Sequence, residues 1–241
     1  MHTQYIQRSL KVPERSFFLF GPRGVGKTTW LKKVLPNTAF FDLLDTSLYI
    51  ELSQNPVNLG PLAGDRPPKA WVVIDEIQKV PELLDEVHRL IETRGWRFAL
   101  SGSSARKLRR GGINLLGGRA VTRYLDTFSS RELGKSFDAE FTLQSGLLPY
   151  VQLDKKNAAD ILSSYVSTYI KEEIKEEGIV RRVPPFLRFL NIAGLLNGQM
   201  INRQNISREA AVPRSTVDTY FSILEDTLLG HFLPAYRPNL K

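Results

Sequence analysis

One stretch near the start of the chain carries the strongest signal for its fold: Phe17-Phe18-Leu19-Phe20-Gly21-Pro22-Arg23-Gly24-Val25-Gly26-Lys27-Thr28-Thr29. A short apolar run ends at a glycine, four residues follow, and Gly-Lys-Thr completes the G-x-x-x-x-G-K-S/T spacing of a phosphate-binding loop. In such a loop the glycines let backbone N–H groups point inward around phosphate oxygens, and the next helix adds the positive end of its dipole. The sequence therefore predicts a nucleotide site whose binding residues are Gly21, Pro22, Arg23, Gly24, Val25, Gly26, Lys27, Thr28 and Thr29.

Two side chains of this loop carry the chemistry expected of it. Lys27 is expected to reach the β- and γ-phosphates, and the Thr28 hydroxyl is expected to ligate Mg²⁺. The alternative interpretation is an ordinary glycine-rich turn before a helix. The apolar run in front of the loop and the helix-compatible residues 29–35 behind it favour the phosphate loop.

A second apolar run ends in a pair of carboxylates. Trp71-Val72-Val73-Ile74 is typical of a strand buried on both faces of a parallel sheet, and Asp75-Glu76 follows it directly. We expect Asp75 to hold Mg²⁺ through its water shell and Glu76 to polarise the attacking water as a general base. The alternative, a strand that ends in two solvated acids, is common, but the position after a strong phosphate loop favours the partner motif.

A polar turn follows the next predicted strand, Arg97-Phe98-Ala99-Leu100. The turn Ser101-Gly102-Ser103-Ser104 is expected to present a hydroxyl, that of Ser101 or Ser103, toward the γ-phosphate or the water. A simple Ser/Gly turn is the alternative.

A basic run then extends over residues 106–123 without any acidic residue, and it contains Arg106, Lys107, Arg109, Arg110, Arg119 and Arg123. A solvated helix face is the usual explanation of such a run. Phosphate contact within one chain, phosphate contact across a subunit interface and contact with a nucleic-acid backbone are the alternatives.

The organisation of the chain changes after about residue 140. Strands and helices alternate at first, which predicts an α/β domain with a parallel sheet and helices on both faces over residues 1–140. Residues 141–241 are predicted to form a mainly helical region. Within it, residues 206–221 have the pattern of a helix–turn–helix, with Ser207 expected to cap the first helix.

The helix–turn–helix has two interpretations. It could dock in DNA as part of a winged helix, with Arg214 contacting phosphates, or it could be an adaptor that packs on the first domain or a partner. Asp218, Glu225 and Asp226 lie on or near the same segment, and their charges would repel a DNA backbone.

The bulk composition excludes several classes of site. The chain has no cysteine, which rules out disulfides, thiolate zinc sites and a cysteine nucleophile. Lys and Arg number 33 against 25 Asp and Glu, and the resulting net charge of +8 permits but does not require contact with nucleic acid. No run approaches the roughly 18 apolar residues of a membrane span, and the start lacks the apolar core of a signal peptide. We therefore expect a cytoplasmic protein without membrane contact.

With these motifs the chain resembles the prokaryotic AAA-type ATPases, bacterial and archaeal, in which the core is followed by a winged-helix segment and a C-terminal domain of unknown function. The matching stretches are 21–29, Val73-Ile74-Asp75-Glu76-Ile77-Gln78-Lys79-Val80-Pro81, 100–104, Leu116-Gly117-Gly118-Arg119 and Ser145-Gly146-Leu147-Leu148-Pro149. Members of this family typically continue into a further domain, whereas this chain stops at Lys241, so most of that last domain is expected to be missing.

The resemblance implies a function and its residues. It implies an AAA-type P-loop fold, ATP rather than GTP as the nucleotide, and Mg²⁺ held by Thr28 and Asp75. It also implies hydrolysis carried by Glu76 and Lys27, a sensor at Ser101 or Ser103, and a role for Arg119.

The leading hypothesis is an ATP-hydrolysing switch, and a homo-oligomer would let Arg119 serve a neighbouring subunit. The alternative hypothesis is a DNA-binding winged-helix regulator that binds ATP with negligible turnover. DNA would then contact the winged-helix region or the basic run.

Overall fold

The computed structural model describes residues 5–103, 116–169 and 183–235. The chain divides into two compact units, Met1–Ile161 and Leu162–Lys241. The division falls within one helix, α8 (Ala158–Tyr169). The sequence-based boundary between residues 140 and 141 lies earlier in the chain and stays a prediction.

The first unit is built on a five-stranded sheet in which all the strand pairs are parallel. Its strands are β1 (Phe17–Phe20), β2 (Ala39–Asp42), β3 (Trp71–Asp75), β4 (Arg97–Gly102) and β5 (Val121–Tyr124). Their order across the sheet is β2-β3-β4-β1-β5. The interior strands β3, β4 and β1 are the apolar runs of the sequence and are almost wholly buried, as both faces of a parallel sheet require. The α/β prediction is confirmed.

Helices connect these strands, because parallel strands need a crossover connection. In the described part of the first unit, α1 (Lys27–Val34), α2 (Thr46–Gln54), α3 (Leu59–Ala63) and α4 (Leu83–Arg94) lie between strands. Three further helices follow β5: α5 (Ser130–Leu133), α6 (Ala139–Ser145) and α7 (Pro149–Leu153). Helix α4 ends at Gly95, whose φ of 63° is the left-handed conformation that glycine adopts without a steric cost.

The core of the first unit fixes β1 against α1. Phe17 lies edge-to-face against Trp30 of α1, with ring centroids 6.2 Å apart, and against Trp71 of β3 at 5.5 Å. Phe17 and Trp30 are both buried. Each buried side chain of this size contributes about 1.5–3 kcal/mol relative to an exposed one. The loop between β1 and α1 is therefore anchored at both of its ends.

The described residues of the second unit form helices joined by turns, with no strand among them. Its helices are α9 (Val183–Leu195), α10 (Arg203–Ala210) and α11 (Arg214–Asp226), the last two being the predicted helix–turn–helix pair. Phe189 of α9 lies at the centre of its core, with ring centroids 5.2 Å from Tyr220 and 4.9 Å from Phe221 of α11. This aromatic cluster holds α9 against α11.

In the second unit one expectation from the sequence, the cap at Ser207, is wrong, and another, the winged helix, stays a prediction. Ser207 does not cap α10: it lies inside the helix and donates to the Val212 carbonyl at 2.6 Å, while Asn202 accepts the backbone N–H groups of residues 204 and 205. No strand occurs between residues 183 and 235, so the described residues contain no wing, and the winged-helix assignment stays a prediction. Among all described helices, none has the length and apolar character that crossing a membrane would require.

Candidate functional site

The phosphate-binding loop lies where β1 ends and α1 begins, at the carboxyl edge of the sheet. Gly24 and Gly26 have φ values of 79° and 87°, which side chains rarely adopt, so the loop's curvature depends on glycine at these positions. Gly21 is needed for a different reason. A Cβ there would collide with the carbonyl oxygen of Leu125, in the segment that follows β5. The glycines of the sequence pattern therefore permit a tight loop that packs directly against the backbone at Leu125.

Lys27, the first residue of α1, is buried and turned back over the loop. Its Nζ donates to the carbonyl oxygens of Gly21, at 2.8 Å, and Pro22, at 3.1 Å. The ammonium group is thus already held in the concave side of the loop by neutral carbonyls. A phosphate oxygen at this place would meet a positioned cation.

Thr28 and Asp75 come together across the sheet. The Thr28 hydroxyl lies 2.5 Å from Asp75 Oδ2, and Ser101 of β4 donates to Asp75 Oδ1. Asp75 is 1% exposed, so its carboxylate is buried and accepts hydrogen bonds from these two hydroxyl groups. Hard oxygen atoms of this kind fit Mg²⁺.

The described residues contain no cluster of three His, Cys, Asp or Glu side chains that could cage a metal. Proteins hold Mg²⁺ through one or two carboxylates together with water and substrate phosphates. Thr28 and Asp75 are the residues that would hold it.

Glu76 follows Asp75 and is half-buried in a left-handed backbone conformation, with φ 61° and ψ 42°. Its burial raises the pKa of the carboxyl above the usual range, and the Asp75 charge adds to this shift. Lys27, a hydrogen bond from Gln78 and Arg23 act in the opposite direction without cancelling it. A carboxylate tuned in this way is suited to accepting a proton.

Gln78 is a residue of the site to which sequence reasoning gave no role. It is buried, its amide nitrogen donates to Glu76 Oε2, and the same nitrogen lies 3.5 Å from Ser103 Oγ. Its carbonyl oxygen is a buried atom without a hydrogen-bond partner. Gln78 thus links Glu76 to the end of β4. The only sequence signal for it was its place in the longer motif after Asp75-Glu76.

A comparison with family models agrees with this geometry. A model described as an AAA domain matches residues 13–134, half of the chain. The chain belongs to the AAA family. Residues 137–241 match a second model, described as a domain of unknown function (DUF8612). A comparison with curated proteins found no match.

Two solved structures resemble this AAA protein over most of its length at low identity. The ADP form of the Aeropyrum pernix ORC2 protein is 16% identical, with a TM-score of 0.44, and the match covers 88% of this chain and 79% of that one. Drosophila ORC bound to DNA is 14% identical, with a TM-score of 0.32, and the match covers 91% and 77% of the two chains.

Arg119 of this AAA protein lies at the opposite edge of the sheet from its phosphate loop. It precedes β5, whose first residue, Val121, pairs with Phe17 at the start of β1. A strand rises about 3.3 Å per residue, so Gly21 lies roughly 13 Å further along β1 from that level. Arg119 instead forms an ion pair with Glu92 of α4. The structure therefore gives no support to a contact between Arg119 and a nucleotide of the same chain.

The other predicted site residues are distributed as follows. Ser101 is fully buried under Asp75, and Ser103 lies beside Gln78. Ser104 and the basic residues 106–110 lie outside the described residues. Arg123 is exposed on β5. Ser101 therefore contacts Asp75 directly, and Ser103 is connected to Glu76 through Gln78.

In the second unit, Arg214 is exposed at the start of α11. Asp218, the acid predicted to oppose DNA, is paired with Arg203 of α10 at 2.5 Å. This ion pair removes part of the repulsion expected from the sequence.

Proposed function

We propose that this AAA protein binds Mg·ATP and hydrolyses it to drive a conformational switch. Membership of the AAA family makes it a nucleotide-binding protein of the ATPase type. ATP as the nucleotide, Mg²⁺ as the metal and hydrolysis as the reaction are the proposed steps beyond that.

The contact between Thr28 and Asp75 carries this proposal. It joins the start of α1, the helix that follows β1 and the loop, to the end of β3, although β4 lies between β1 and β3 in the sheet. The contact joins the two proposed metal ligands, and Glu76, the proposed general base, is next to Asp75 in the chain. These side chains and the phosphate loop lie at one edge of the sheet, and this arrangement supports phosphoryl transfer as the reaction.

Each residue has a defined part in the proposed reaction. The backbone N–H groups of the loop and Lys27 bind the phosphates, and Thr28 and Asp75 hold the cation. Bound Mg²⁺ would neutralise charge that develops between the β- and γ-phosphates. Glu76 orients the attacking water and takes its proton, and Gln78 keeps the Glu76 carboxylate in place.

The test is equilibrium binding of ATP, ADP and GTP with Mg²⁺, followed by steady-state phosphate release. We expect the wild-type protein to bind ATP and release phosphate, and Lys27→Ala to lose ATP binding. Lys33→Ala is the matched control, because Lys33 lies in the same helix with an exposed side chain. ATP affinity unchanged in Lys27→Ala would contradict the proposal.

Arg119 has a place in this proposal only between subunits. A guanidinium group stabilises charge on the transferring phosphoryl group, and such an arginine is worth a factor of about 10³–10⁵ in rate in related enzymes. Its position at the edge opposite the loop supports a homo-oligomer in which it reaches the nucleotide of a neighbour.

A second candidate function is nucleotide-dependent DNA binding. Two observations favour it: Arg214 is exposed at the start of α11, and the charge of Asp218 on the same helix is paired with Arg203. Phosphate release and duplex affinity, measured with and without ATP, test it. DNA affinity with negligible turnover would favour the regulator, and no DNA affinity at low salt in any nucleotide state would exclude DNA as the partner.

A further inference from the structure

Arg8, in the segment before β1, is buried and bonded to three separate parts of the first unit. Its Nη1 donates to the Val25 carbonyl of the phosphate loop at 2.9 Å. Its Nη2 donates to the carbonyls of Asp126 and Thr127, the latter at 3.2 Å, and its Nε donates to Glu132 at 3.1 Å. Every nitrogen of the guanidinium group is therefore used, and the loop is tied to the segment behind it.

The position of the guanidinium group is itself fixed from several sides. Glu132, at the start of α5, pairs with it and also accepts the backbone N–H groups of Ser9, at 2.6 Å, and Ser129, at 2.9 Å. Burial alone would raise the pKa of Glu132, but these N–H groups and Arg8 outweigh it and hold the pKa below the usual range. The Phe128 ring lies under the guanidinium carbon at 4.9 Å. Arg8 is consequently a rigid donor toward the loop.

The bond to Val25 has a consequence for the phosphate cradle. A peptide unit is planar and trans, so its carbonyl and the following N–H point in opposite directions. With the Val25 carbonyl directed toward Arg8, the N–H of Gly26 is directed to the other side. Gly26 has no side chain that could hold this plane, and its φ is 87°, so the bond from Arg8 to the Val25 carbonyl restrains the plane directly.

We propose that Arg8 is a positioning residue for nucleotide binding. By holding the Val25 carbonyl it keeps the Gly26 N–H turned into the cradle, where it meets a phosphate oxygen. Arg8 itself does not contact the nucleotide, since its charge is neutralised by Glu132 and its nitrogens are occupied. This inference rests on the proposed function, because it concerns the same phosphate site.

The competing explanation is that Arg8 only docks the lead-in segment on the fold. The two explanations differ in kinetics. Loss of a purely structural bond lowers the folded fraction, which reduces kcat per total protein and the melting temperature but leaves KM unchanged. Loss of a positioned N–H weakens phosphate binding in molecules that are fully folded, which raises KM and the dissociation constant.

The experiment uses the full chain with Arg8→Ala, Arg8→Lys and Glu132→Gln, and with Arg15→Ala as a control on an exposed arginine of the same segment. Dissociation constants for ATP and ADP, KM, kcat and melting curves are measured for each. We expect Arg8→Ala to raise KM and both dissociation constants about tenfold or more, the value of one hydrogen bond to a charged group. Glu132→Gln should give a smaller rise, and Arg15→Ala none.

If Arg8→Ala does not fold, Arg8→Lys distinguishes the positioning role of Arg8 from a purely structural one. A lysine keeps the charge and much of the volume, but it cannot hold the Val25 carbonyl and the carbonyls behind it with one planar group. A folded Arg8→Lys protein with raised KM supports the proposal. If the folded Arg8 variants kept the wild-type KM and dissociation constants, the positioning role of Arg8 would be wrong, and the proposed ATP binding by the wild-type protein would be unaffected. A wild-type protein without ATP affinity would overturn the proposed function, and this inference with it.

Discussion

Replacement of Glu76 by glutamine tests the proposed chemistry most directly. The substitution keeps the shape of the side chain and its ability to accept the hydrogen bond from Gln78, but the carboxamide cannot take a proton. A positioned general base contributes a factor of about 10²–10⁴ in rate. We therefore expect kcat for ATP hydrolysis to fall by about 100- to 10,000-fold.

The structure predicts that this variant folds and binds ATP. A hydrogen bond to a charged group is worth about 1.5–3 kcal/mol and one between neutral groups about 0.5–1.5, so the Gln78 contact loses about 1 kcal/mol. Removing a carboxylate whose burial is unfavourable offsets this loss. The net change is small beside the 5–15 kcal/mol that typically stabilises a domain. Lys27, Thr28 and the loop N–H groups are untouched, so the dissociation constant for Mg·ATP should stay within a few-fold of the wild type.

The assay is phosphate release at saturating Mg·ATP, with ATP binding measured separately. Glu82→Gln is the matched control, because Glu82 is an exposed carboxylate a few residues further along the same segment. A Glu76→Gln protein that retains wild-type kcat would refute the assignment of Glu76 as the base. An equal fall in Glu82→Gln would show that the rate responds to charge in this segment and not to proton transfer.

Three further predictions concern other parts of the chain. Mixing the inactive proteins Arg119→Ala and Lys27→Ala should restore part of the phosphate release, because one intact site can form between subunits, and normal hydrolysis by Arg119→Ala alone would contradict any role for this arginine. Phe189→Ala should lower the free energy of unfolding of the second unit, measured in urea titrations, by about 3–5 kcal/mol. Leu195→Ala is the control: this side chain is 79% exposed, so its loss should change the free energy of unfolding by less than about 0.5 kcal/mol. Equal effects of the two substitutions would refute the proposed core. The pKa of Glu132 is lowered in the folded state, so its carboxylate stabilises the fold at pH values above the ordinary pKa of about 4.3, and this contribution is lost as the pH falls through the lower pKa of the folded state. The melting temperature of the wild type should therefore drop more steeply between pH 5 and about 3 than that of Glu132→Gln. Parallel curves for the two proteins would contradict this prediction.

The fold was predictable wherever burial left a continuous apolar run. β1, β3 and β4 are interior strands, so their sequences are apolar along their whole length, and the glycine spacing after β1 identified the loop. β5 was not predicted. It pairs only with β1 at the edge of the sheet, and from Thr122 to Tyr124 its side chains are exposed, so Val121-Thr122-Arg123-Tyr124 carries neither an apolar run nor a clear alternation.

Only the site residues that belong to a recognisable motif could be predicted from the sequence. Asp75 and Glu76 follow a buried strand and are recognisable by position. Arg8 gave no local signal, because its partner Glu132 is 124 residues away and the carbonyls it binds could belong to any residue type. Gln78 was visible inside a motif, but its contact with Glu76 depends on the left-handed turn at Glu76, which a sequence pattern does not specify. Tertiary hydrogen bonds of this kind become visible only in coordinates.

The two serines at the end of β4 have more definite places than a polar turn implies. Ser101 is wholly buried and donates to Asp75, so its hydroxyl acts on the proposed metal ligand. Ser103 meets the amide of Gln78, which in turn holds Glu76. Each strand-end carboxylate of β3 is thus tied to β4, Asp75 directly and Glu76 through Gln78. A displacement of the end of β4 would therefore move the proposed metal ligand Asp75 and the proposed general base Glu76 together, because both are connected to this strand end.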